Sequence, residues 1–302
     1  MELNINMLTA FKKNLSNKPD RLGELYKSDP SEAIPILRKR FSQNGYLYLK
    51  GLLNKDYVIS FREWVFKNLK GTGLLQKNYD KDTGKDSAHS GRAQNEAVKK
   101  MISSMVRSTQ YESFCTQPLL ANFIDEFIGG ISYLHKRKIL RHTLPKSDNS
   151  TPAHYDLIYL RAGTDNILTV WIPIGDIDIE EGGLMYLEGS HTQGIKIEKE
   201  FSIKNANLSK EDQISAFNKN MTEGGWISKD FPNLAEKFNT KWLVANYEAG
   251  DILIHSPYLI HASTNNQSSK ERIRLSTDIR FQNVDDKIDS RWNNHWHEDD
   301  NL

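Results

Sequence analysis

Cysteine is almost missing from this chain: Cys115 stands alone among 302 residues. A single thiol cannot close an internal disulfide, and it cannot build the thiolate cage of a structural zinc site. An excess of one charge sign is missing too, because 40 Lys and Arg stand against 39 Asp and Glu for a net charge of +1. That balance gives no electrostatic case for nucleic acid or an anionic membrane as the main partner. No segment approaches the roughly 20 consecutive apolar residues of a membrane span. The N-terminus has no basic stretch leading into a sustained apolar run, so nothing there reads as a secretion signal. Internal repeats are absent. What is present is 38% hydrophobic and 26% charged residues, enough to bury a sizeable core. These features predict a cytoplasmic protein without membrane or nucleic-acid partners, in one domain over residues 1–302.

Local pattern divides the chain into two parts. Residues 1–30 are polar and lysine-rich, with weak helical spacing at Leu8, Phe11 and Leu15. Residues 31–45 read as a helix closing on Asn44-Gly45, and 46–53 as an aromatic-rich strand. Asn54 is placed to cap a helix over 57–69, whose apolar stripe is Ile59, Phe61, Trp64, Val65 and Leu69. Residues 70–92 form a loop by composition. Residues 96–127 read as two helical pieces broken near Pro118 and closed by Gly129-Gly130. From Ile131 strands take over, at 136–144, 155–161, 167–174, 183–187, 242–247, 251–255 and 272–281. Short strands separated by turn residues indicate a sandwich or jelly roll. The expected class is α+β, mainly β, with flanking N-terminal helices and a β core over about 131–285. Residues 195–240 interrupt that core with a lysine-rich, partly helical insertion, expected to be a lid.

The chemistry centres on His154-Tyr155-Asp156. In a strand, residues two apart share a face, so His154 and Asp156 point one way and Tyr155 the other. Taken alone such a pair usually lies on a surface or caps a helix. If His261, at the end of the 250–261 strand, folds back beside it, two imidazoles and one carboxylate meet with coordination positions left open. That is the facial triad of non-haem Fe(II) oxygenases. Alternation also places Thr169 and Trp171 on one face, taken as the cavity. Arg272 and Arg274 follow His261 closely and are suited to bidentate pairing with a dicarboxylate.

These stretches, in this order, resemble the phytanoyl-CoA dioxygenase family of Fe(II)/2-oxoglutarate oxygenases. The resemblance covers residues 139–282 through Trp171-Ile-Pro-Ile-Gly-Asp176, Glu181-Gly-Gly-Leu-Met185, Gly189-Ser-His191, Gly250-Asp251 and His261. The stretch at 45–53 resembles the family's N-terminal strand. Residues 70–130 and 195–240 match nothing recognised. The resemblance implies a double-stranded β-helix, Fe(II) ligated by His154, Asp156 and His261, and 2-oxoglutarate and O₂ as cosubstrates yielding succinate and CO₂. The family's cosubstrate arginine lies eleven residues after the second histidine, which favours Arg272, with Arg274 as its rival. Related halogenases carry Ala or Gly where Asp156 stands, so the expected outcome is hydroxylation of a small molecule. Secondary metabolites, amino-acid derivatives, lipid-like acids and acyl thioesters all fit. Desaturation, epimerisation or cyclisation on the same iron is the alternative, or a non-catalytic β-helix binding protein. His255 is a lesser candidate ligand. His191 is expected in a turn, and His295, His297 and Asp299 in a solvated tail. Asp278 and Arg280 are expected to pair with each other or with the chain near Asp285-Asp286.

Overall fold

The computed structural model describes residues 7–75, 79, 84, 91–148, 150–215 and 225–296. A short ribbon, β1 (Thr9–Ala10) with β2 (Lys13–Asn14), precedes two facing sheets. The smaller sheet runs in the order β12 (His261–Ser263), β9 (Leu184–Leu187), β10 (Trp242–Val244), β3 (Leu22–Glu24). The larger runs β4 (Lys27–Ser28), β5 (Tyr46–Leu49), β11 (Ile252–His255), β8 (Ile167–Pro173), β13 (Arg274–Asn283), β6 (Ser132–Leu134). The strand β7 (Ile139–Thr143) also pairs with β13. Pairing is antiparallel except where β3 and β4 join at the edges. This is a double-stranded β-helix.

Alternation along each strand sorts side chains between layers. Leu168, Val170 and Ile172 of β8, Ile252 and Ile254 of β11, and Leu275 and Ile279 of β13 face outward into a helical layer. That layer is built from α1 (Ile34–Asn44), α2 (Lys55–Leu69), α3 (Gly91–Ser103), α4 (Thr109–Cys115) and α5 (Pro118–Ile128). The expected caps form: Gly45 ends α1 at φ 77, and Asn54 accepts from the Tyr57 amide at 2.9 Å to open α2. Between the sheets, Tyr46, Tyr48, Trp171, Tyr186, Tyr247 and Leu253 make an aromatic core. A third cluster covers the outer face of the smaller sheet, around Trp242, Met185, Phe231 and Trp292.

Three expectations change. Residues 155–161 are not a strand: the chain turns at Asp156 into a helical turn, Leu157–Leu160. An apolar run this short suits either conformation, and the amide of Leu157 bonds the Pro257 carbonyl at 2.9 Å, a tie that only tertiary packing supplies. The described part of residues 1–30 carries no helix; its strands extend both sheets. Residues 91–128 form more than two helical pieces, with a break at Ser104–Ser108 as well as before Pro118. Of the loop expected at 70–92, residues 76–78, 80–83 and 85–90 lie outside the described residues, as do 216–224 of the insertion. The rest of the insertion contains the helices His191–Lys204, Lys210–Ser215 and Phe231–Lys237.

Candidate metal centre

His154 and His261 are joined backbone to backbone. The amide of His154 donates to the His261 carbonyl at 3.1 Å, and the amide of His261 returns the bond at 2.9 Å. Residues paired this way point to the same side, and the two rings lie 4.2 Å apart between centroids. Asp156 lies two residues past the isolated bridge at His154, in helical conformation, so strand alternation does not place it; its Oδ1 still sits 3.7 Å from the Nε2 of each histidine. The three ligand atoms lie within 4.8 Å of one another.

Hydrogen bonding determines which ring atoms face inward. His154 Nδ1 is 2.8 Å from the Pro152 carbonyl, and His261 Nδ1 is 3.0 Å from the Leu259 carbonyl. A carbonyl only accepts, so each Nδ1 carries the proton and each Nε2 presents a lone pair. Asp156 Oδ2 accepts from Thr169 Oγ1, and from Arg280 Nη2 at 3.1 Å, whereas Oδ1 is buried without a hydrogen-bond partner. Three acceptors thus converge with no proton between them, which is unfavourable without a cation. Two imidazole nitrogens and one carboxylate oxygen on one side of an otherwise open position fit Fe(II).

The electrostatics agree. Burial pushes the Asp156 carboxyl up, but the Arg280 charge and the His255 side chain outweigh it and hold the group well below the usual carboxylate range. Burial lowers both His154 and His261, which keeps them in the neutral form that binds metal.

Beside the triad lies a narrow cavity of about 20 Å³, lined by His154, His261, Trp171, Arg141, Arg274 and Arg280 among others. Trp171 therefore faces the cavity, as alternation predicts. Thr169 does not line it; its hydroxyl holds Asp156 instead. The two rival arginines separate clearly. Arg272 precedes β13, and its guanidinium is engaged by Glu181 at 3.2 Å, Asp178 at 3.5 Å and the Asp176 carbonyl at 2.9 Å. Arg274 is buried in the cavity wall, tied to the Gly182 carbonyl at 2.8 Å and Thr143 Oγ1 at 2.9 Å. Arg272 lies outside the strand, which begins at Arg274, so strand alternation does not relate the two side chains.

Sequence reasoning missed the support around the ligands. Arg280 bonds Asp156 rather than Asp278, and its guanidinium lies 4.8 Å from the Trp292 ring centre. Asp278 pairs with Arg141 at 2.6 Å. His255 is fully buried beside the site, with Nδ1 2.9 Å from Tyr186 Oη and Nε2 3.5 Å from Asp156 Oδ2, outside the converging set. For Asp278 and Arg280 the signal was the polar alternation Arg274, Ser276, Asp278, Arg280, Gln282 along β13, whereas His255 had been weighed only as a lesser ligand. His191 packs against Gly45, and His295 is set among Lys138, Arg107 and Glu112. His297 and Asp299 lie outside the described residues.

A jelly roll that presents such a ligand set between its sheets is the scaffold of the Fe(II)/2-oxoglutarate-dependent oxygenases, and this chain is an enzyme of that class. The sequence pattern of the phytanoyl-CoA dioxygenase family (PhyH) matches residues 41–274, and the chain belongs to that family. It is 22% identical over 267 residues to the 1-deoxypentalenic acid 11-beta-hydroxylase of Streptomyces arenae, covering 84% of this chain and 85% of that one. It is 27% identical over 168 residues to the peroxisomal phytanoyl-CoA dioxygenase of Rattus norvegicus, covering 53% and 48%. Among solved structures it resembles EctD from S. alaskensis with 2-oxoglutarate and 5-hydroxyectoine, at TM-score 0.56 and 14% identity over 94% of this chain and 85% of that one. It also resembles the epimerase SnoN in complex with Fe3+, alpha ketoglutarate and nogalamycin RO, at TM-score 0.55 and 18% identity over 83% and 84%. At these identities the likeness concerns the fold.

Proposed function

We propose that this chain hydroxylates a small molecule, with His154, Asp156 and His261 holding Fe(II) and Arg274 holding the distal carboxylate of 2-oxoglutarate. The observation that carries this reading is the convergence of three buried acceptors around the unpartnered Asp156 Oδ1. When bound, metal and cosubstrate supply the oxidising power to break a substrate C–H bond with O₂, releasing succinate and CO₂. The chain's own residues do the positioning. The Pro152 and Leu259 carbonyls lock the tautomers of His154 and His261. Thr169 and Arg280 hold one oxygen of Asp156 so that the other faces the metal. Burial and neighbouring Arg141 lower Arg274 to about 10, which leaves it charged at neutral pH. Its tethers to Gly182 and Thr143 preset the fork for a carboxylate.

Asp156 fills the position that chloride needs in related halogenases, so oxygen insertion is the favoured outcome. The hydroxylase among the relatives points the same way. A second reading, epimerisation or ring closure at the same site, is favoured by the fold shared with SnoN and with the carbocyclase SnoK. Residues 1–302 are taken as one domain of the cytoplasm, with 195–240 as a lid. Supporting the lid, Glu198 accepts from Tyr155 at 2.8 Å and Arg161 at 2.5 Å, on either side of the helical turn after Asp156.

The test is anaerobic addition of Fe(II) and then 2-oxoglutarate, followed by the visible metal-to-ligand charge-transfer band. The band is expected in the natural chain and absent in Asp156→Ala. Arg274→Ala is expected to raise the 2-oxoglutarate concentration needed by at least about tenfold, the scale of a charge-assisted bidentate pair, and Arg272→Ala to leave it near normal. The opposite ranking would return the role to Arg272. A natural chain that forms no band and binds no 2-oxoglutarate is the non-catalytic binding protein instead.

A further inference from the structure

The cavity wall carries a third arginine that neither the metal set nor the cosubstrate site uses. Arg141 lies on β7 opposite Ser276, and Thr143 lies opposite Arg274, so Arg141 and Arg274 face the same interior. Its Nε donates to Asp278 Oδ2 at 2.6 Å, and no other hydrogen bond of this side chain forms among the described residues. Both terminal amino groups are therefore unclaimed among the described residues. The side chain is 37% accessible against 5% for that of Arg280, and Arg274 is buried, which puts Arg141 at the mouth and the other two in the wall.

Charge points to what meets it. Arg141, Arg274 and Arg280 stand against two carboxylates, Asp156 and Asp278. A divalent metal and a dianionic cosubstrate cancel each other, so the loaded site keeps one positive charge. In a partly desolvated cavity that charge calls for an anion. The free edge of the Arg141 guanidinium, two parallel N–H groups in a plane, matches a carboxylate. We infer that the substrate is a small carboxylic acid whose carboxylate docks on Arg141, with Asp278 holding the guanidinium in place and tempering its affinity. This rests on the oxygenase reading above and specifies its substrate class.

The test uses the full-length protein loaded anaerobically with Fe(II) and 2-oxoglutarate. The probes are hexanoate, octanoate, cyclohexanecarboxylate and benzoate, each beside its primary amide, and the readout is perturbation of the visible band. At least one acid is expected to bind about tenfold or more tightly than its amide. Arg141→Gln is expected to erase that preference while the 2-oxoglutarate titration stays as in the natural chain. Asp278→Asn is expected to tighten acid binding, because it removes a competing anion. Thermal unfolding of both variants checks that they are folded, and Arg141→Lys, which keeps the charge without the fork, is expected to retain part of the preference.

Amides binding as well as acids across the whole set would overturn the inference. So would Arg141→Gln and Asp278→Asn weakening acid binding alike, the mark of a purely structural ion pair. Loss of 2-oxoglutarate binding in Arg141→Gln would make Arg141 a cosubstrate residue and overturn it too. A natural chain without the band brings down the oxygenase reading itself, whereas a band without acid preference brings down only this inference.

Discussion

Along β7 successive residues serve different layers: Arg141 faces the cavity, and His142 faces away from it, paired with Leu275. Burial first, and then the Arg274 charge, lower His142 to about 4. An unfolded histidine takes a proton near pH 6.5. Between pH 6.5 and 4 the unfolded state binds a proton that the folded state refuses, so stability is full above that window and falls as pH drops through it. Urea unfolding at pH 7 and pH 5 should show a loss on the order of 2 kcal/mol from this residue, and His142→Gln should remove that part of the difference. Equal losses in both chains would clear His142. At this scale the sequence was partly legible. His154, Asp156 and His261 could be singled out from the His-x-Asp pattern, a later histidine and the family resemblance, and they do meet. The roles of Arg280, His255 and Arg141 could not be read, because which strand lies opposite Asp156 is a matter of sheet order.

The helix His191–Lys204 gives a test at the level of one element. Gly194 lies inside it, where glycine normally costs about 1 kcal/mol against alanine. A methyl group there would come within 2.0 Å of the Tyr258 carbonyl oxygen. Gly194→Ala should therefore destabilise the protein by about 1–3 kcal/mol, as overpacking does, rather than stabilise it. Thermal unfolding decides: a raised Tm would mean the helix stands off from the chain leading to His261. Next to this helix, Ser190 Oγ accepts from the Ile260 amide at 3.0 Å, which gives the Gly-Ser-His motif a physical role beside the ligand. Elements were legible where local chemistry governs them, as at the Asn54 cap and the Gly45 stop. They were misread where pairing overrides propensity, as in the turn Leu157–Leu160 and the edge strands before residue 30.

For the molecule as a whole, the converging acceptors predict that metal binding and folding are linked. Fe(II) or Co(II) at one hundred times its Kd should stabilise the chain by about 2.7 kcal/mol, and a chelator should reverse the gain. His261→Ala should show no such gain; an equal one would place the metal elsewhere. The same linkage marks the division between sequence and tertiary structure. By itself the sequence determined the β-rich class, the helical flank and the order of His154, Asp156 and His261, because alternation, capping and turn chemistry act within a few residues. Tertiary structure alone decided that Arg274 rather than Arg272 faces the cavity, that Thr169 and Arg280 grip Asp156, and that Arg141 stands at the mouth. Those placements depend on the register of β7 and β8 against β13, strands more than a hundred residues apart in sequence, which local patterns do not encode.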